Sequence, residues 1–162
     1  AILDQMGCDA ITVNPYMGSD SILPFSNIKS KGVFVLCLTS NTSACELQND
    51  LKDNSPLFVK VAKMVEKINV NGNLGLVIGA TKSNCISQIN EHCTDIPYLI
   101  PGIGHQGGNL EESLLHSNKK GFGIINVSRS IINAGNGDLN QVRKAALSFT
   151  EKIRGLVNER AW

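Results

Sequence analysis

The chain has no excess of charge. Its 162 residues set 15 Lys and Arg against 14 Asp and Glu, a net charge of +1. That balance gives no reason to expect nucleic acid or an anionic membrane as partner. No apolar run approaches the length of a bilayer span and no signal-peptide pattern occurs. Low-complexity tracts and linkers are missing too, which points to one domain. The five cysteines (Cys8, Cys37, Cys45, Cys85, Cys93) are odd in number and lack CxxC spacing. They read as the reduced, mostly buried thiols expected of a cytoplasmic protein, not as a disulfide framework or a metal site. A dinucleotide fingerprint is also absent. The first βα turn reads Asn14-Pro15-Tyr16-Met17-Gly18, and Gly102 to Gly107 does not match GxGxxG in phase.

What is present is a regular alternation of strand and helix patterns in a composition that is 42% hydrophobic and 18% charged. Apolar, β-branched runs predict strands over 9–13, 33–38, 74–80, 97–101 and 122–127. Between them stand helix signals. Residues 1–6 read as the end of a helix closed by Gly7. Ser19 or Asp20 can cap a short helix, and Ser43 with Glu46 has capping-box spacing for another reaching about Leu51. Ser55 and Pro56 read as N-cap and first residue of a longer helix, with Leu57, Phe58, Val61, Ala62, Met64, Val65 and Ile68 on its apolar face and Asn71-Gly72 as its stop. Thr81 caps a helix through Ile86 and Ile89. Asn109 with Glu112 starts the next, and Lys119-Lys120-Gly121 ends it. A short helical turn is expected after Arg129. Asp138 caps the last helix, whose apolar face is Val142, Ala145, Ala146, Phe149, Ile153 and Leu156.

This is an α/β chain with a parallel sheet. Either an open doubly wound sheet or an arc of a barrel fits the alternation. The placement of the polar tips decides between them. The run Leu99-Ile100-Pro101 ends in Gly102-Ile103-Gly104-His105-Gln106-Gly107-Gly108, where glycines let a ligand approach the backbone. One repeat later, Ile124-Ile125-Asn126-Val127 ends in Ser128-Arg129. A glycine loop and then an Arg after the last two strands resemble a barrel's phosphate site. The expected fold is therefore a partial (β/α)8 TIM barrel, strands 4 to 8 with their helices. Residues 1–162 would be the C-terminal part of a single TIM-barrel domain whose N-terminal strands are missing. Each motif also has a plainer alternative: a capping role for Ser40, a solvated loop for Gln106 and a structural ion pair for Arg129.

The segments Asp9 to Asp20, Gly32 to Asn41, Gly75 to Thr81, Ile100 to Gly108 and Asn126 to Arg129 together resemble the orotidine 5′-monophosphate decarboxylase family, in the branch found in some bacteria and apicomplexan parasites. The resemblance spans nearly the whole chain in order and spacing. It implies a lyase of pyrimidine (UMP) biosynthesis that works without a cofactor or metal on a small-molecule nucleotide and assembles as a homodimer. It implies that Ser40 contacts the pyrimidine and Pro101 walls the base and carboxylate region. Gln106 reaches the phosphate from a mobile loop, and Ser128 with Arg129 holds that phosphate. The chain departs from the family pattern at Leu38, Thr42 and His105, where Lys, Pro and often a small residue are usual; His105 is expected to face solvent. The family's Asp-x-Lys-x-x-Asp segment, which supplies the proton-donating Lys, does not occur here. The catalytic residues are expected upstream of Ala1, and the fragment alone is expected to be inactive. Another phosphate-binding barrel enzyme, such as a sugar-phosphate isomerase or synthase, and a non-catalytic half-barrel phosphate module are the rival readings.

Overall fold

The computed structural model describes residues 2–52, 55–93, 95–104, 107–117 and 123–158. Its main sheet contains β1 (Ala10–Val13), β2 (Gly32–Leu38), β5 (Leu74–Ile78), β6 (Tyr98–Pro101) and β7 (Gly123–Asn126), side by side in that order. Every neighbouring pair is parallel. A doubly wound sheet reverses its strand order at a switch point. Here spatial order follows chain order throughout, as in an arc of a barrel. A small antiparallel ribbon, β3 (Leu51–Lys52) with β4 (Ser55–Pro56), lies outside the sheet. The helices are α1 (Leu23–Ser26), α2 (Leu57–Ile68), α3 (Ile86–Asn90), α4 (Leu110–Ser117), α5 (Arg129–Ile132) and α6 (Leu139–Asn158).

The pleat sorts side chains onto two faces. Register aligns Val35, Leu76 and Tyr98 in one row, and all three are buried. Phe58, Val59, Ala62 and Val65 of α2 and Ile86 and Ile89 of α3 belong to the same apolar cluster. Each Phe, Val or Ile side chain among them stabilises the fold by about 2 kcal/mol when fully buried. The opposite face carries a second apolar row, Leu36, Val77, Leu99 and Ile124, which ends with Ile124 at 41% exposure. Phe34 lies across Gly75 on this face; a Cβ on Gly75 would be 2.5 Å from the ring.

Several helix starts differ from the sequence reading. Residues 2–5 form a turn and not a helix, closed by Cys8 N donating to Ile2 O at 3.3 Å with Gly7 at φ +66°. So short a segment has too few internal bonds to offset helix nucleation. Neither Ser19 nor Asp20 caps a helix by its side chain. The turn after β1 is instead held by Asn14, whose Oδ1 accepts from Tyr16 N at 2.9 Å. The 3-10 turn at Thr42–Glu46 starts before Ser43, makes no side-chain cap bond, and does not continue to Leu51. Ser55 does not cap α2, because that helix's first donors already have partners. Leu57 N donates to Asp50 O at 3.0 Å and Phe58 N to Gln48 O at 3.2 Å, so the carbonyls of the preceding turn do the capping. The helical stretch around Thr81 begins at Ala80 and breaks at Lys82 before α3. Two caps are as expected: Glu112 N donates to Asn109 Oδ1 at 3.2 Å, and Gln141 N to Asp138 Oδ1 at 3.0 Å. Lys119, Lys120, Gly121 and Phe122 lie outside the described residues.

Candidate functional site

Because all five strands run the same way, the segments that leave their C-terminal ends lie along one edge. Ser40 follows β2, Gly79 and Ala80 follow β5, Pro101 ends β6, and Ser128 and Arg129 follow β7. Three close approaches draw these tips into a row, and in each one partner is a glycine. A Cβ on Gly79 would lie 2.8 Å from Ser40 N and collide with Ser40 Oγ. One on Gly108 would lie 2.8 Å from Gly102 O and collide with Ala80 Cβ. One on Gly104 would lie 3.1 Å from Ser130 Cβ and collide with Ser130 Oγ. Absent side chains thus let four strand tips meet more closely than any other residue would permit.

The glycine loop is tied back on itself. Gly108 N donates to Gly102 O at 3.2 Å and Gly107 N to Gly104 O at 2.8 Å. Gly102 and Gly104 stand at φ +101° and +84°, a region that costs an L side chain about 1–2 kcal/mol. Gln106 and His105 fall inside this loop but outside the described residues.

Ser40 Oγ is shut off from solvent and has no hydrogen-bond partner among the described residues. Its capping alternative fails, since Asn41 takes the N-cap position of the turn beyond it. Pro101 is half-buried, pairs with Asn126 in register and shares the inner face with Leu99. Ser128 Oγ donates to Asn126 Oδ1 at 2.9 Å, and its carbonyl accepts from Ile131 and Ile132 at 3.0 and 2.9 Å. This fixes the start of α5, where Arg129 is exposed. Arg129 has no carboxylate partner among the described residues, so the ion-pair alternative finds no support there.

A cleft of about 320 Å³ opens beside the row, at the tips of β1 and β2, lined by Asn14, Tyr16, Thr39, Leu47 and Gln48 among others. Gln48 braces its floor: Thr39 N donates to Gln48 Oε1, and Gln48 Nε2 to Thr39 Oγ1, both at 2.8 Å. Tyr16, Met17 and Leu47 are apolar and largely exposed on this side. Behind the sheet, Cys37 Sγ donates to Phe58 O at 3.2 Å and Cys93 Sγ to Ala62 O at 3.3 Å. Burial pushes both thiols above the usual range, Cys93 to about 12. All five cysteines are free thiols. No described helix is long and apolar enough to cross a membrane.

Sequence reasoning reached Ser40, Pro101, Ser128 and Arg129, which the fold sets along one edge. It missed Gly79 and Ala80 as their neighbours, and Ser130 as the residue against which the glycine loop packs. A glycine closing the run Leu76-Val77-Ile78 was the available signal for the first of these.

Parallel strands in chain order, with glycine-rich and Arg-bearing loops on their C-terminal edge, define a β/α-barrel protein, an architecture whose sites lie at that edge. More specifically, the chain belongs to the orotidine 5′-phosphate decarboxylase / HUMPS family, whose model matches residues 1–145. It is 45% identical over 153 residues to the orotidine 5′-phosphate decarboxylase of Herpetosiphon aurantiacus, covering 92% of this chain and 57% of that protein. Among solved structures it is similar to Leishmania donovani UMP synthase, with TM-score 0.86 and 39% identity, covering 95% of this chain and 34% of that one. It is also similar to Leishmania donovani OMP decarboxylase, with TM-score 0.84 and 36% identity, covering 95% and 59%. The chain spans somewhat over half the length of the curated relatives it matches.

Proposed function

We propose that this chain is the nucleotide-gripping, C-terminal part of an orotidine 5′-monophosphate decarboxylase, a carboxy-lyase of UMP synthesis. The observation that carries the reading is the site's two ends: a solvent-shielded Ser40 hydroxyl with no hydrogen-bond partner, and an exposed Arg129 with no carboxylate partner, both among the described residues, joined by the row of glycine contacts. A pyrimidine imide edge can both donate to and accept from a hydroxyl. A phosphate matches the planar fork of a guanidinium. In this reading Ser40 contacts the pyrimidine, Pro101 walls the base, and Ser128 with Arg129 holds the phosphate. Gln106 joins them on the phosphate from the glycine loop.

Gripping both ends makes binding energy from the phosphate available to hold the reacting ring in a dry site. The proton-donating Lys and its carboxylate partners belong to upstream sequence. The open edge of β1 and the exposed inner-face Ile124 are where upstream strands would complete the barrel. The exposed Tyr16, Met17 and Leu47 at the mouth support a homodimer contact there. A cytoplasmic setting agrees with the free thiols.

The test compares the 162 residues with the protein expressed from its complete reading frame. The short form should leave orotidine monophosphate unchanged and the complete form should decarboxylate it, monitored by the fall in substrate absorbance. Activity in the short form would contradict the assignment of the catalytic Lys to upstream sequence. Thermal protection of the complete form by ribulose 5-phosphate but not by uridine 5′-monophosphate would favour a sugar-phosphate enzyme instead.

A further inference from the structure

The end of β2 is one residue longer than the strand beside it. Leu36 pairs with Val77 and Leu38 with Ile78, so Cys37 has no counterpart on β5. An extra residue of this kind bends its strand and re-aims the side chains beyond the bend. Here the chain leaving β2 crosses the tip of β5. Gly79 N donates to Leu38 O at 2.7 Å, and Ser40 comes to rest on the bare α-carbon of Gly79.

Gly79 is not among the residues at positive φ, so its backbone conformation is open to any residue. What excludes a side chain is space alone. A Cβ would stand 2.8 Å from Ser40 N and 3.1 Å from Ser40 Cβ, and would overlap the hydroxyl. Gly79 itself is buried, so the neighbours have little room to yield. The hydroxyl pressed into this place has neither solvent nor a described protein partner. A buried polar group left unpaired is a standing cost. The cost disappears if a ligand supplies the missing partner.

We infer that Gly79 is a positioning residue for base recognition: the absence of its side chain holds the Ser40 hydroxyl in place, shielded and with no partner among the described residues, for a planar heterocycle with adjacent N–H and C=O groups. This rests on the nucleotide reading of the site. The contact acts on the base and leaves the phosphate end alone, since Arg129 is carried by a different strand tip. Discrimination between nucleotides and plain sugar phosphates is therefore set at the junction of β2 and β5.

The experiment measures binding of uridine 5′-monophosphate and of ribose 5-phosphate by calorimetry, using the protein expressed from its complete reading frame and its Gly79→Ala and Ser40→Ala variants. Each variant should bind uridine monophosphate about 10-fold more weakly, the scale of one lost hydrogen bond. Ribose 5-phosphate, which has no base, should bind each as tightly as before. A Gly79→Ala protein with the unchanged ratio of the two affinities overturns the inference. So does one that loses both ligands equally, because that is general damage to the edge. Should Gly79→Ala fail to fold, Ser40→Ala decides alone: an unchanged ratio there removes the hydroxyl that Gly79 is said to position. If the unsubstituted protein binds neither ligand, the nucleotide reading itself falls, an outcome distinct from the others.

Discussion

Gly104 and Ser130 are packed so closely that a methyl group on the glycine would overlap the serine hydroxyl, with Ser130 Cβ at 3.1 Å and Phe149 Cζ at 3.4 Å behind it. One residue belongs to the loop after β6 and the other to the first turn of α5. The contact therefore fastens the glycine loop to the helical turn that begins with Arg129. Phe149, from the middle of α6, backs the junction, so the last helix supports the site from outside the sheet.

Gly104→Ala should break this fastening for two reasons at once. The position sits at φ +84°, and the added carbon has no room. The backbone term alone costs about 1–2 kcal/mol, and the overlap adds to it. The expected result is a lower thermal midpoint together with at least about 10-fold weaker binding of uridine 5′-monophosphate, because loop and Arg129 no longer act as one unit. Calorimetric titration and a melting curve check both parts. Weaker binding with an unchanged midpoint would mean that the loop does not lean on α5.

Arg129 should behave in the opposite way. It is exposed and has no carboxylate partner among the described residues, so Arg129→Ala should leave unfolding free energy within about 0.5 kcal/mol. Phosphate binding should suffer instead. Hydrogen bonds to a charged group contribute about 1.5–3 kcal/mol, which is roughly a 10- to 100-fold loss of nucleotide affinity. Arg129→Lys keeps the charge without the fork and should recover only part of that loss. Urea titration and ligand titration on the same preparations separate the two effects.

The contrast between these residues shows what was legible before the structure. Strand positions follow from apolar runs with polar ends, so the edge with its glycine loop and Arg129 could be read directly, whereas Ser40 and Pro101 stand out on it only through the family resemblance. Chain order in the sheet could also be anticipated, because the phosphate-like tips fall on consecutive strands. The helix starts were harder. Ser43 and Ser55 carry the right side chains for caps, but Ser43 falls inside a turn that starts at Thr42, and at Ser55 the carbonyls of Gln48 and Asp50 reach the first amides of α2 instead. A side-chain rule cannot see a backbone partner that the preceding turn delivers. The extra residue in β2 was equally hidden, since a bulge leaves no mark in an unbroken run such as Val33 to Leu38. With it went the contact between Ser40 and Gly79.

Alkaline pH should weaken the fold through groups held protonated in the core. Burial, with a smaller contribution from Glu66, raises the Cys93 thiol from 9.0 to about 12, and burial raises Cys37 and Tyr98 as well. In the unfolded chain these groups lose protons first. Between about pH 9 and 12 the unfolded state then binds fewer protons than the folded one, so unfolding free energy falls as pH rises. Below about pH 9 the contribution is complete. Urea midpoints measured from neutral pH to about pH 10 should begin to drop near pH 9, and a Cys37→Ala, Cys93→Ala double variant should drop less steeply. An equal slope in that variant would show that the thiols are not the groups involved.

At the other end of the strands, Asn73 should be a residue of stability without a role in binding. Its Nδ2 donates to Ser26 O at 3.0 Å, Ile28 O at 3.2 Å and Lys31 O at 2.9 Å, while Asn71 Nδ2 donates to the same Ser26 carbonyl at 3.0 Å. One amide thus gathers the turn after α1 and ties it to the start of β5. Asn73→Ala removes these bonds together; Ser26 O keeps Asn71 Nδ2 and Ile28 O keeps Lys31 N, so Lys31 O is the carbonyl left without a described donor, a loss of about 1–3 kcal/mol. That should lower the urea midpoint clearly. Because the cluster lies at the opposite edge from Ser40 and Arg129, the affinity for uridine 5′-monophosphate should be unchanged wherever the variant is still folded. A fall in affinity under those conditions would mean that the two edges of the sheet are coupled, and that the row of strand tips is not set by its own glycine contacts.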